Sequence, residues 1–135
     1  MLVKIVGVIS LATFWTFSRN VIPHAVFGHP QVASVGMTER DAIATGVDFT
    51  CHVQHYASAA YGWAMEDTTS IVKLVMDSRT RLLLGAHICG PQASTLIQQL
   101  IQGMVFGQTV DQMATGQYYI HPALPEVIEQ ALLEL

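Results

Sequence analysis

The sequence runs to 135 residues, room for one domain with its own hydrophobic core and at most a short appendage. It is 51% hydrophobic and 12% charged, too apolar for a disordered polymer, and some of that apolar surface calls for a partner to cover it. Net charge is −4 and the six Lys and Arg are spread singly, so no basic stripe exists for a phosphate backbone and nucleic-acid binding is excluded.

The chain opens on a hydrophobic leader, residues 1–19, of which Met1 to Phe17 is nearly all apolar, with Lys4 near the front and Arg19 behind. It is shorter than the roughly 20 residues needed to cross a bilayer. It also lacks a small-x-small cleavage site. Membrane insertion, a buried strand, and a tail outside the domain all remain open readings of it. From Val21 to Val26 the residues are apolar and β-branched around Pro23, which predicts a short strand near a sheet edge. Thr38 is placed as the N-cap of a helix over 39–45, with Glu39 and Asp41 in its first turn and Gly46 closing it. In Val47 to Tyr56, Phe49, Cys51 and Val53 alternate with Thr50, His52 and Gln54, the period of a half-buried strand. Ala57 to Asp67 reads as a loop.

Ser70 to Met76 and Leu82 to Cys89 are β-rich and joined by five polar residues, which predicts an antiparallel hairpin. After Gly90-Pro91, Ala93, Leu96, Ile97, Leu100, Ile101, Met104 and Val105 fall on one helical stripe that Gly107 ends. Thr109 with Gln112 forms a capping box for a short helix ending at Gly116. A last helix, begun by Pro122 or Pro125, carries Leu124, Val127, Ile128, Ala131 and Leu132 on one face. The fold class is α+β, an antiparallel sheet with helices packed on one side.

Several chemistries have no support. No G-x-G-x-x-G follows a strand, there is no P-loop, and no two His share a helix face for a metal. Gly85 and Gly90 are too sparse for a phosphate cradle and suit strand and turn geometry. His52 and His55, three apart on a strand, point to opposite faces. Cys51 and Cys89 lie 38 positions apart, fit no C-x-x-C motif, and read as strand residues in a reducing cytosol.

What carries chemistry is His121-Pro122-Ala123-Leu124-Pro125-Glu126. A carboxylate in the first turn of a helix is favoured by the dipole and stays ionised, and beside a histidine it fixes which ring nitrogen holds the proton. Alone, a His-Pro before a helix is more often a capping or packing feature.

The motif does not stand alone. The run Val26-Phe27-Gly28-His29-Pro30-Gln31-Val32-Ala33-Ser34-Val35-Gly36-Met37-Thr38-Glu39 resembles the opening of the dimerisation domain of the pyridine nucleotide-disulfide oxidoreductases. Leu83-Leu84-Gly85-Ala86-His87-Ile88, Gly90-Pro91 and the helix to Val105 resemble its second half, and His121-Pro122 with Glu126 its terminal motif. The likeness covers residues 20–135. Within the family, Gly116 to Glu126 looks most like the mycothione reductase branch.

The resemblance implies an FAD- and NADPH-dependent disulfide reductase whose two subunits pair through this domain, with a low-molecular-weight thiol disulfide as substrate. It implies that His121 is the acid/base delivered to the partner subunit's active site and that Glu126 orients it. It further implies that the backbone of His121 and Pro122 approaches the partner's flavin. His29-Pro30 and His121-Pro122 resemble places where the family has cis peptide bonds. Ala123 stands where members often carry Thr, so a hydroxyl contact is lost there. The family's pair of redox cysteines and its dinucleotide fingerprints have no counterpart. The chain alone is therefore expected to bind neither cofactor and to turn nothing over. A gene fragment, a misread start or a shifted frame would each yield such a chain, whose partner is a second copy or a full-length reductase subunit. Rival readings are a non-catalytic homodimeric scaffold of the same fold and a small membrane-anchored protein.

Overall fold

The hairpin anticipated between Ser70 and Cys89 lies at the heart of the sheet. In the computed structural model, which describes residues 21–135, the strands are β1 (His24–Val26), β2 (Val32–Gly36), β3 (Phe49–His55), β4 (Ile71–Asp77) and β5 (Leu83–Cys89). They run in the order β1-β2-β5-β4-β3, every neighbour antiparallel. The leader lies outside the described residues. The helices are α1 (Glu39–Thr45), α2 (Ala60–Ala64), α3 (Ala93–Phe106), α4 (Val110–Thr115) and α5 (Pro125–Leu133). Among the described residues no helix is long and apolar enough to cross a membrane.

Register defines the core. Ala33 and Val72 both pair with Ile88, and Val35 and Leu74 both pair with Ala86, so these six side chains share one face, and all are buried. Against it α3 lays Leu96, Ile97 and Leu100 over β2 and β5, and α5 lays Val127, Ile128 and Ala131 over β3 and β4. The α3 stripe is shorter than expected, because Val105 is 58% exposed near the helix end.

The local signals for caps were sound. Thr38 accepts from the Asp41 amide and Asp41 answers to the Thr38 amide, and Thr109 and Gln112 do the same at α4. In the hairpin turn, Asp77 Oδ1 accepts from the amides of Arg79 and Thr80. Gly85 allows close approach of the segment after β2, since a Cβ there would sit 1.9 Å from the Met37 carbonyl oxygen.

Two expectations change. The loop from Ala57 to Asp67 contains a 3-10 turn at Tyr56–Ser58 followed by α2. Gly62 makes that fold possible, because a Cβ there would lie 2.0 Å from the Tyr56 carbonyl oxygen. On β3 the alternation is present but its sense is reversed. His52 pairs with Leu74 and Gln54 with Val72, so the polar set shares the core face, whereas Val53 is 40% exposed. The reason is hydrogen bonding to α5: Gln54 Nε2 donates to Gln130 Oε1 (3.0 Å), and Gln54 Oε1 bonds His52 Nε2 (3.0 Å). At an edge strand, satisfied amides can take the place that apolar side chains hold in the centre.

The direction of α5 follows from its two tethers. Gln130 is bonded to Gln54 toward the end of β3, and the Leu135 carbonyl accepts from Arg81 Nη1 beside the hairpin turn. The helix therefore runs antiparallel to β3, and its amino-terminal end points to the edge of the sheet where β3 ends.

Candidate functional site

At that end of α5 the chain turns sharply through Gly116 to Leu124. Of the two prolines offered for the helix start, Pro125 takes the first helical position. Leu124 has no side-chain oxygen with which to cap the helix, and no side chain caps it; Glu126 Oε2 reaches back to accept from the amide of Ala123, just before the helix, at 3.0 Å. Its other oxygen, Oε1, lies 2.7 Å from His121 Nδ1. Both carboxylate oxygens are thus committed, one to the backbone and one to the imidazole.

The pair is asymmetric in exposure. The His121 side chain is 69% exposed and that of Glu126 only 14%. The hydrogen bond from His121, then that from the Ala123 amide, holds the Glu126 carboxyl below its ordinary range. An ionised carboxylate only accepts, so Nδ1 carries the proton toward Glu126, and in the neutral ring Nε2 is the basic nitrogen. Among the described residues nothing bonds Nε2. The arrangement is an exposed imidazole oriented at Nδ1 by a carboxylate.

His121, Pro122 and Glu126 thus come together as the sequence indicated, with His121 and Pro122 both exposed. His29-Pro30 and His121-Pro122 are both cis. Two features had escaped notice. The Ala123 amide fixes the carboxylate through a contact that any residue could make, so side-chain identity gives no sign of it. A latch also fastens the loop to α4: Gln117 Nε2 donates to Tyr119 Oη (3.0 Å), and Tyr119 Oη donates to the Met113 carbonyl (3.0 Å).

The other candidates stay apart. Cys51 on β3 and Cys89 on β5 are free and lie in strands separated by β4. Burial, then the Glu39 carboxylate, pushes the Cys51 thiol up, away from a nucleophilic thiolate. His52 is bonded to Gln54 and His55 is exposed; among the described residues no three metal-ligating side chains converge.

Residues 22–132 match the family described as pyridine nucleotide-disulphide oxidoreductase, dimerisation domain. The chain belongs to this family. Mycothione reductase of Mycobacterium tuberculosis is 60% identical to this dimerisation domain over 117 residues, which are 87% of this chain and 26% of that protein. Dihydrolipoyl dehydrogenase 2 of Haloarcula marismortui is 35% identical over 115 residues, 85% of this chain and 24% of its own. Among solved structures, the HOCl-induced flavoprotein disulfide reductase RclA of Escherichia coli superposes with a TM-score of 0.79 at 26% identity, over 85% of this chain and 26% of its own. LpdA of Mycobacterium tuberculosis reaches a TM-score of 0.81 at 22% identity, a likeness of fold, over 87% of this chain and 26% of its own. The chain spans about a quarter of the length of the curated relatives it matches.

Proposed function

We propose that this chain is the subunit-pairing domain of an FAD- and NADPH-dependent disulfide reductase of the mycothione reductase type, and that it lends His121 with Glu126 to the active site of the partner subunit. The observation that carries the reading is the oriented imidazole: His121 is fixed at Nδ1 by a carboxylate that is itself fixed, and its Nε2 is presented outward. The 60% identity to a mycothione reductase supports the substrate class, a low-molecular-weight thiol disulfide.

The described residues contain no dinucleotide cradle, and what they offer a flavin is the exposed backbone at His121 and Pro122. FAD and NADPH belong to the rest of the enzyme, where a bound flavin supplies the electrons that reduce an active-site disulfide. The steps left to this chain are proton transfers. When a thiolate attacks the substrate disulfide, one S–S bond forms, another breaks, and the departing thiolate needs a proton. His121 Nε2–H delivers it, and Glu126 steadies the imidazolium that serves as donor. For the next thiol the neutral Nε2 takes a proton back. Alone, with no flavin and no paired cysteines, the chain turns over no disulfide.

The test is to graft residues 20–135 in place of the corresponding domain of the Mycobacterium tuberculosis mycothione reductase and change His121→Ala. Steady-state turnover should fall roughly 10²- to 10⁴-fold, the range for a positioned acid/base. Reduction of the flavin by NADPH in rapid mixing should stay near normal. Equal slowing of both half-reactions would defeat the assignment.

A further inference from the structure

The loop that carries His121 is held from both sides, by Glu126 on the side of α5 and by Tyr119 on the side of α4. From Gly116 to Pro122 every residue is exposed except Tyr119, which is partly buried between the fully exposed Tyr118 and Ile120 (76%). Its target is a helix end. α4 stops at Thr115, so the Gln117 amide that would close another turn on the Met113 carbonyl lies outside the helix. Side chains take over: Tyr119 Oη donates to that carbonyl at 3.0 Å, and Gln117 Nε2 donates to Tyr119 Oη at 3.0 Å and reaches the same carbonyl at 3.4 Å. Because Oη accepts from Gln117, its own hydrogen is left for Met113. Burial pushes the Tyr119 phenol up, so the hydroxyl keeps that hydrogen. The anchor is firm, since Val110, Met113 and Ala114 are buried in the core and Asp111 is paired with Arg81.

We propose that Tyr119 is a positioning residue for the disulfide chemistry: its hydroxyl, steered by Gln117, fixes the backbone from which His121 is delivered. The inference rests on the acid/base reading of His121. Glu126 bonds Nδ1 and so sets which ring nitrogen is basic, but it holds the imidazole from the α5 side alone. The His121 side chain is 69% exposed, so packing within the described residues does little to place Nε2. A loop fastened at one end swings about that fastening, and the bond from Tyr119 to α4, two residues before His121, removes the swing. Proton transfer to a departing thiolate needs Nε2 within hydrogen-bond reach of the sulfur. A misplacement of about 1 Å can cost on the order of 10²-fold in rate. A helix cap alone asks only for a donor, and Gln117 already reaches the Met113 carbonyl. What the Tyr119 ring adds is a tie between that carbonyl and the backbone next to the imidazole.

The test uses the grafted reductase, with mycothione as the disulfide. Tyr119→Phe keeps the ring and loses the hydroxyl, while Gln117→Met keeps the length of an exposed side chain and loses both its hydrogen bonds. kcat should fall roughly tenfold in the first and by less in the second. KM for mycothione should change less than about twofold, and flavin reduction by NADPH should stay near the parent rate. Added to His121→Ala, Tyr119→Phe should slow turnover by less than about a further twofold, because a residue that acts through His121 has nothing left to position. Tyr119→Phe as fast as the parent, beside a slow His121→Ala, overturns the inference and leaves the acid/base reading standing. So does a slowing that persists in the His121→Ala background or strikes both half-reactions equally, since a merely structural role would produce either. If His121→Ala itself turns over at the parent rate, the acid/base reading falls and this inference with it.

Discussion

The Arg81 guanidinium grips Asp111 with two parallel hydrogen bonds, Nε to Oδ2 at 2.6 Å and Nη2 to Oδ1 at 2.7 Å, and donates Nη1 to the Leu135 carbonyl. One side chain in the hairpin turn thereby ties α4 and the end of the chain after α5 to the sheet. It does so from a left-handed backbone, with φ at 59°. The grip and the backbone conformation can be separated by substitution. Arg81→Ala loses the grip and keeps the strain, while Arg81→Gly loses the grip and relieves it. Both should melt below the parent, with the Gly variant a few degrees above the Ala variant. The pair is exposed, so molar salt should narrow the gap to the parent. Calorimetry at two salt concentrations checks both.

Two buried glycines should respond very differently to one added methyl. At Gly85 a Cβ would meet the Met37 carbonyl oxygen at 1.9 Å, and at Gly103 it would meet the Met113 sulfur at 2.3 Å. A carbonyl in the segment between β2 and α1 cannot yield without moving the backbone, whereas a thioether can change rotamer. Gly85→Ala should therefore cost about 3 kcal/mol or more, the upper end for overpacking, and Gly103→Ala about 1 kcal/mol. Urea titrations of the two variants should rank them in that order.

Acid should unfold the domain through carboxylates that the fold keeps charged. The Thr38 hydroxyl lowers Asp41, the Thr80 amide followed by that of Arg79 lowers Asp77, Arg81 lowers Asp111, and His121 lowers Glu126. Each folded value lies below the ordinary 3.8 of Asp or 4.5 of Glu, so the unfolded chain binds more protons. The stabilisation is complete above those ordinary values and is lost as pH falls through the folded ones. The urea midpoint should therefore drop from about pH 5 downward. Asp77→Asn keeps an acceptor for both turn amides and should flatten the slope with little change at low pH.

How much could be read in advance depended on whether the signal was local. Thr38 and Thr109 accept from amides within one turn of themselves and Pro125 fixes its own backbone angle, all local effects, and the sequence placed the helices they begin. Three motifs in order gave the family and the His121-Glu126 pair. What escaped reading depended on distant partners. The polar side of β3 faces the core because Gln130, 76 residues on from Gln54, waits there with a matching amide. Helix α2 forms because Gly62 can press against the Tyr56 carbonyl, a fit that composition cannot reveal.

Glu126 offers a sharper test of the site than its removal would suggest, because the relevant property is that it accepts twice. Oε1 takes the proton side of His121 Nδ1 while Oε2 takes the Ala123 amide. A glutamine has one acceptor and one donor. If its oxygen turns to Ala123, its NH₂ confronts Nδ1 and selects the ring form with the proton on Nε2, the wrong tautomer for a base. If its oxygen turns to His121, NH₂ faces the Ala123 N–H and the loop loses its tether. Either way one bond is forfeited, so in the grafted reductase Glu126→Gln should slow turnover roughly 10- to 100-fold, the range for losing a histidine's orienting partner. Glu126→Asp keeps both acceptors on a shorter stem and should lose less. Flavin reduction by NADPH should be unchanged in both. A Gln variant as fast as the parent would show that the carboxylate only tethers the Ala123 backbone, and the orienting role would be abandoned.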